Sequence, residues 1–589
     1  MALHNLQQFL ALLESKGDLL RIKAEVDPVL EISEIAIRAV QHDGPALLFE
    51  NVKGSKFPLL INILGARRRV EWALGREAGA VGAELAHFAE SLMPPSPSAV
   101  LKNIPTVKRI LAMGPKNRSS APVKKNCIEP ADLGQLPIAQ SWPGDGGKFI
   151  TFPLVLTRSP NDGKSNVGVY RMHVYNKNET GMHWQIGKGG GYHYQQAEAK
   201  GEALPLAVIL GADPILMMCG ILPLPENLSE IAFAGFLRGE GTRMTPIGPR
   251  PISAPAEAEF ILEGSVPPRE RRLEGPYGDH FGHYSLAADF PVFKVDRIWH
   301  RDNPVFPIAI VGKPPQEDQV IGDAVQEMLL PLLKVMHPEI VDLWAYMEAG
   351  FHNLLAISVK QRFAKEAVKT GLWALGEGQL SLTKVVVLVD PDVNARKFTD
   401  VLRAIRANFH PSDDFLLLPG TSQDTLDFTS GKMNLGSKMI IDATGGGRKP
   451  EHLTGGKVDV DAIKRLDNRI RAVRVLEEAL LVIQVDGNGR EVLEKMVNLP
   501  SMPPVSLVAA VSPDVPLDDL VLLPWGIFTR FDCARDTFFH SVELRGGHPV
   551  YKGPLYIDAT MKPGYPEPLV MTDEIVRRVD YRWKEYGFK

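Results

Sequence analysis

The sequence predicts a mixed α/β chain, α/β with α+β character. It reads as an N-terminal α/β region, a central β-rich domain and a C-terminal α/β domain carrying a diverged duplication. Three observations carry this. Helical and strand periodicities alternate over residues 5–64. Short β-type segments separated by Gly and Pro crowd residues 121–310. From 318 onward strands alternate with helices, and three short strings recur in order near the C-terminus. The expected domains are 1–120, 121–317, 318–450 and 451–589.

Residues 5–16 place Leu6, Phe9, Leu10, Leu12 and Leu13 on one helical face, and Gly17-Asp18 stops the helix. A strand over Leu19–Val26, a helix over Glu31–His42 and a strand over Ala46–Phe49 follow, with a buried strand expected within Phe57–Leu64. Arg67-Arg68-Arg69 reads as a solvated helix start. Residues 93–120 read as a connection. The central β-type segments are Phe149–Thr157, Asn166–Val174, Ala207–Leu210, Ile231–Phe236, Ala258–Glu263 and Val292–Trp299. The C-terminal domain reads as helix 318–335, strand 354–359, helix 361–374, strand 384–389, helix 394–407 and strand 414–417. Val389-Asp-Pro-Asp-Val393 recurs as Val511-Ser-Pro-Asp-Val515, and Ile441-Asp-Ala-Thr444 as Ile557-Asp-Ala-Thr560. Between them, Arg406–Asp414 is echoed by Thr529–Asp536. Three matches in one order are what a duplicated α/β unit leaves.

The 589 residues are 44% hydrophobic and 23% charged, an ordinary globular composition. A net charge of −4 gives no pull toward nucleic acid or an anionic membrane. Three cysteines without a CxxC argue for a reducing compartment, and the N-terminal stretch lacks the pattern of a secretory signal. No run of 18 apolar residues occurs. A cytoplasmic protein is expected.

Glu274-Gly-Pro-Tyr-Gly-Asp279 sets two carboxylates around Gly and Pro. Such a segment cannot continue a helix, and a tight loop aims both acids into one cavity, where burial and like charge push their pKa values apart. Ser165–His173 reads as a strand whose alternation points Asn166 and Arg171 to opposite sides, unless a bulge at Gly168 re-aims one of them. Gly187-Lys188-Gly-Gly-Gly191, flanked by His183 and His193, is a weak anion-site signal that fits neither a Walker loop nor GxGxxG. Glu230 adjoins the apolar run Ile231-Ala-Phe-Ala-Gly235, where a carboxylate needs a partner.

Taken together these residues resemble the UbiD-type decarboxylases, which use prenylated FMN. The resemblance covers about residues 1–450 and rests on motifs in order: Gly17–Ile22 with Glu25–Pro28, Gly44–Val52, Asn166–Arg171, Leu228–Gly235, Glu274–Asp279, Ser358–Lys360 and Gly436–Thr444. It implies a split β-barrel flavin-binding domain at the centre. It implies that Arg171, Glu274 and Asp279 are the catalytic set. It implies that Asn166 and Glu230 hold a divalent metal, usually manganese, clamping the cofactor phosphate beside a potassium ion. Val169, Tyr170, Arg171 and Lys188 would line the cofactor, and Lys360 would reach its phosphate. The family pattern has a histidine as third metal ligand where this chain has Gly187, and glycine has no side chain to coordinate. His183 or His193 substituting, Lys188 and the glycine-rich backbone holding the phosphate, and weakened cofactor binding are the three readings open; the second is favoured.

The implied reaction is reversible, non-oxidative decarboxylation of an aromatic or α,β-unsaturated acid, with aryl-CoA thioesters among the candidates. A flavin prenyltransferase would supply the cofactor, and a homo-oligomer, dimer or hexamer, is expected. Two rivals stand beside it: a flavin-binding oxidoreductase, and a non-catalytic subunit of a carboxylase complex.

Overall fold

The computed structural model describes residues 3–91, 104–185, 189–224, 228–250, 252–445, 453, 456–499 and 501–588. Two compact units form. The first comprises Met1–Asp279, Tyr284–Met328 and Pro568–Lys589; the second comprises His280–His283 and Leu329–Glu567.

In the first unit the helix Leu6–Ser15 is capped by Asn5, whose side chain accepts from the Gln8 N–H, and it buries Leu6, Phe9, Leu10 and Leu13. Strands Leu19–Ile22, Ala46–Phe49, Leu59–Ile61 and Phe306–Pro307 make a four-stranded sheet. The helix Asp573–Arg582 packs on Glu31–Gln41, where Arg582 and Tyr586 both bond Glu31 and Arg38 pairs with Asp580 at 2.6 Å. The basic run does head a helix, Arg67–Leu74, with Arg67 exposed as expected and Arg69 turned inward. Arg69 is fully buried and donates to Asp18 and to the Gly44 carbonyl, with Arg68 also on Asp18. The Asp18 carboxylate supplies the counter-charge that burial requires. The expected connection over 93–120 holds the helix Ile104–Ala112, while 93–103 lie outside the described residues.

The central sheet runs Glu179–Gly181, Ala288–His300, Phe260–Val266, Leu204–Leu210, Leu154–Arg158, Ser165–Val169, with neighbours antiparallel. Among the described residues its edge strands do not pair with each other, so the sheet stays open and no barrel closes. Three β-type segments depart from expectation. Ile231–Phe236 lies in a helix, Glu230–Arg238, which follows Ser229 at the N-cap and ends at Gly239 with φ +78°. It is buried on nearly every side, which erases the polar face that marks a surface helix. Phe149–Thr157 is split into Phe149–Ile150 and Leu154–Arg158, with Pro153 unable to donate to a ladder. The third is Asn166–Val174, which breaks at Tyr170-Arg171 into Ser165–Val169 and Met172–His173.

The second unit contains two five-stranded sheets of one topology. The first is ordered Ile340–Ala345, Leu354–Val359, Val385–Val389, Leu435–Ala443, Phe415–Ser422. The second is ordered Ile470–Leu476, Leu480–Val485, Leu507–Val511, His548–Ala559, Thr537–Arg545. In each, the inner pairs are parallel and the outer pairs antiparallel.

Candidate active site

The strand Ser165–Val169 pairs regularly with Leu154–Arg158, Asn166 opposite Thr157 and Val169 opposite Leu154, with no bulge at Gly168. Arg171 is re-aimed by another device. The chain leaves this strand after Val169 and starts a new one at Met172, paired to Phe149–Ile150. Freed from the alternation, Arg171 points into the acid loop.

That loop starts where the strand Arg271–Glu274 ends, Glu274 lying opposite Ala288. Gly275 takes φ +94°, a value that glycine tolerates, and Tyr277-Gly278 pairs back on Tyr284-Ser285. Arg171 gathers the hairpin. Its Nε donates to Glu274 Oε1 at 3.0 Å, its Nη1 to Asp279 Oδ2, and its Nη2 to Ser285 Oγ at 3.0 Å. The guanidinium lies over the Tyr277 ring, 4.7 Å from its centroid. Burial works against the Arg171 charge, yet Asp279 and Glu274 hold its pKa above the ordinary value. Burial alone would push Glu274 upward; His183 and Arg171 outweigh it and keep the carboxyl below its usual range.

His183 is the residue of this cluster that the sequence does not assign. Its Nδ1 lies 2.8 Å from Glu274 Oε1, and its ring tilts on Phe290 at 4.2 Å. Burial first, and Arg171 second, lower its pKa. An ionised carboxylate only accepts, so Nδ1 carries the proton. Among the described residues, Glu274 Oε2 and His183 Nε2 are buried without a hydrogen-bond partner.

A second clamp comes from Trp142-Pro-Gly-Asp-Gly-Gly147. Asp145 Oδ1 accepts from the Gly278 N–H at 2.8 Å, and its Oδ2 accepts from Ser141 and Trp142. The Gly146 N–H donates to the Pro276 carbonyl at 2.8 Å. Burial raises the Asp145 carboxyl to about 6, against the pull of the Gly278, Trp142 and Ser141 N–H groups. A turn-rich stretch holding one acid was the only sequence signal for this clamp.

Asn166 and Glu230 also come together. Glu230 opens its helix; its Oε1 accepts from Asn166 Nδ2 and its Oε2 from the Val167 N–H, both at 3.0 Å. Asn166 Oδ1 is buried and has no partner among the described residues. The glycines of the GKGGG stretch open a helix, Gly189–Lys200, rather than a loop. Its N-terminus abuts Asn166 closely enough that a Cβ on Gly189 would lie 2.7 Å from Asn166 Cγ. One turn on, His193 Nδ1 meets Thr157 Oγ1 at 2.8 Å, and Thr157 is the cross-strand neighbour of Asn166. Tyr170 is buried and its hydroxyl accepts from the Gly190 N–H at 3.4 Å; burial raises it to about 12. Val169 is half-buried at the strand end. Gly187 and Lys188 lie outside the described residues. Lys360 belongs to the second unit, exposed, its N–H on the Glu339 carbonyl.

A free amide oxygen and a buried carboxylate are hard donors suited to a hard divalent ion, and a helix N-terminus suits a phosphate. The residues present therefore fit a metal-clamped flavin phosphate. Among the described residues no cluster of three His, Cys, Asp or Glu side chains able to hold a metal occurs, so the pair needs further donors.

Three family profiles match in succession. They are the 3-octaprenyl-4-hydroxybenzoate carboxy-lyase N-terminal domain at residues 10–89, the Rift-related domain at 115–314 and the C-terminal domain at 319–443. The chain belongs to the UbiD family of carboxy-lyases. The UbiD assignment extends to whole-length similarity. A Chlamydia pneumoniae protein, named as one of the subunits of a 4-hydroxybenzoate decarboxylase, is 38% identical over 583 residues, 99% of this chain and 98% of its own length. Among solved UbiD-class structures, vanillic acid decarboxylase of Sedimentibacter hydroxybenzoicus in its closed form is 27% identical with TM-score 0.67. The match covers 78% of this chain and 98% of that one. The UbiD-class enzyme HmfF of Pelotomaculum thermopropionicum, in complex with FMN, is 25% identical with TM-score 0.64, covering 79% and 99%. No helix among the described residues is long and apolar enough to cross a membrane.

Proposed function

We propose that this UbiD-family enzyme reversibly decarboxylates an aromatic carboxylic acid with prenylated FMN. The supporting observation is the buried Arg171 that bonds Glu274 and Asp279 together in one closed hairpin. The arene preference draws on the two relatives named for 4-hydroxybenzoate and vanillic acid. Asn166 and Glu230 would hold a divalent cation, manganese with potassium nearby, and the N-terminus of Gly189–Lys200 with Lys188 would take the flavin phosphate. Of the two histidines, His193 would be the one to assist them, since His183 bonds Glu274 while His193 bonds Thr157, the cross-strand neighbour of Asn166. When bound, the prenylated flavin would supply the electrophilic partner for the substrate carbon.

The protein's own part is positioning and proton supply. The bond to the carboxyl carbon breaks, CO₂ leaves, and a proton takes its place on the ring carbon. Glu274, held ionised by Arg171 and His183, fixes the charge pattern facing that carbon. Asp279 delivers the proton. It is the less enclosed of the two acids, 8% exposed against 0%, and a group that reprotonates every turnover needs access to water. Carboxylation runs the same steps backwards.

The test is the chain co-produced with a flavin prenyltransferase, assayed for CO₂ release against arene carboxylates, an α,β-unsaturated acid and an aryl-CoA thioester. Release from an arene acid is expected; turnover of NAD(P)H without any decarboxylation would refute it.

A further inference from the structure

The likeness of the two repeats in the second unit extends from strand order to the direction each side chain takes. Leu354 lies opposite Val385 and Val385 opposite Met439; in the second repeat Leu480 lies opposite Leu507 and Leu507 opposite Leu555. These registers match the three parallel strands of the two repeats residue for residue. Successive side chains of a strand face opposite ways. In the first repeat Leu355, Ile357, Val386, Leu388 and Ile440 face a core of their own. Their counterparts Leu481, Ile483, Val508, Ala510 and Tyr556 face another. The remaining faces turn toward each other: Val385, Val387 and Val389 share a single core with Leu507, Ala509 and Val511.

Around this shared core the contacts are reciprocal. The turn Met347–Ala349, between the first two strands of the first repeat, packs on Leu522–Phe528, the helix between the third and fourth strands of the second. The matching turn of the second repeat meets the matching helix of the first, Phe398–Asn408. Arg403 Nε lies 2.6 Å from Glu477 and Arg406 Nη2 3.9 Å from Glu478. Arg406 Nη1 also donates to the Pro504 carbonyl at 2.7 Å, just ahead of the strand Leu507–Val511. In the mirror position Lys384, just ahead of Val385–Val389, donates to the Phe531 carbonyl at 2.9 Å, just past the helix Leu522–Phe528. Element i of one body on j of the other, with j on i, is the geometry of an isologous two-fold interface.

We propose that residues 456–567 are a built-in homotypic partner. The second repeat sits on the first as one subunit of a symmetric dimer sits on the other. It fills the face by which a chain with a single repeat pairs with a second copy of itself. The registers also set Asp486, directly after Val485, where the first repeat has Lys360 after Val359. An acid repels phosphate, so the second repeat keeps the packing face but cannot take the phosphate role that the resemblance gives Lys360. Holding the partner on the same chain replaces a concentration-dependent encounter by an intramolecular one. Solved relatives that align over 98–99% of their own length span only 78–79% of this chain, so a UbiD fold forms without an equivalent of about a fifth of it.

The test starts from the full chain with protease sites inserted between Gly445 and Gly456 and between Glu567 and Pro568, so that the C-terminal piece of interest is the second repeat alone and the helix Asp573–Arg582 stays on Glu31–Gln41. After cutting, one species of unchanged mass by light scattering is expected, with all the pieces in it. Releasing the C-terminal piece in mild urea and returning the remainder to buffer should give a species of twice its mass. A cross-link between two chains should form in that species through Arg403→Cys on the packing helix of one chain and Phe351→Cys on the other, the turn position that matches Glu477. Adding back the C-terminal piece should convert it to the one-to-one complex. A remainder that stays monomeric, or that aggregates without a defined two-chain species, would overturn the proposal, as would pieces that part on cutting.

Discussion

At the scale of single residues, the acid loop is set by which groups face one guanidinium. Arg171, Glu274 and Asp279 meet in one cluster, but two of the residues that hold them were not legible. His183 sits 91 residues before Glu274 in the chain, and only the fold brings the two within 2.8 Å. Asp145 acts through backbone N–H groups of Ser141, Trp142 and Gly278, which leave no side-chain code. His183→Asn should lower kcat about tenfold or more and shift its pH profile, since one donor to Glu274 changes; circular dichroism should be unchanged. A kcat and pH profile equal to wild type would remove His183 from the active set. Asp145 gives a pH dependence of known sign. Its folded pKa, about 6, lies above the ordinary 3.8, so ionising it costs the folded state. That contribution to stability is present below pH 4 and lost as pH climbs through 6, a difference of about 3 kcal/mol. Activity should run the other way, falling below pH 6 as the carboxylate that accepts from Gly278 is protonated, and Asp145→Asn should flatten that limb. A limb unchanged in the variant would contradict this.

At the scale of elements, strands bounded by Gly and Pro were readable, while their breaks were not. The helix Glu230–Arg238 was missed because its surroundings are apolar on nearly all sides, which erases periodicity. The turn-out at Tyr170-Arg171 was missed because alternation assumes that a strand continues; a tertiary pairing of Met172–His173 with Phe149–Ile150 ended it. The clamp on the acid loop depends on a close backbone approach. A Cβ on Gly146 would lie 2.2 Å from the Gly275 carbonyl oxygen, and backbone cannot step aside as a side-chain tip does. Gly146→Ala should therefore cut decarboxylation at least tenfold while the chain remains folded, measured by CO₂ release alongside thermal unfolding. Full activity would show that the 275–278 backbone is not held as described.

At the scale of the whole molecule, three recurrent strings foretold a repeat, and their drifting offsets follow from loops of unequal length between matching strands. What the strings could not show is that the two sheets turn matching faces into one core. That sharing has a measurable consequence. Val387→Ala opens a cavity in the first repeat and should cost about 2 kcal/mol. Because the core is common, amide hydrogen exchange should quicken in Leu480–Val485 of the second repeat as well as in Leu354–Val359 of the first. Exchange confined to the first repeat would mean two independently stable bodies. The central reading, that the Arg171-bound carboxyls deliver the proton replacing CO₂, meets its most direct test in deuterium oxide. With cofactor-loaded enzyme and an accepted arene acid, wild type should give product carrying one deuterium at the carbon that lost CO₂. Asp279→Asn, with flavin still bound by its absorbance, should give less than about a tenth of that product, and Glu274→Gln should slow it as well. Retention of the wild-type rate by Asp279→Asn with the same deuterium content would contradict the assignment.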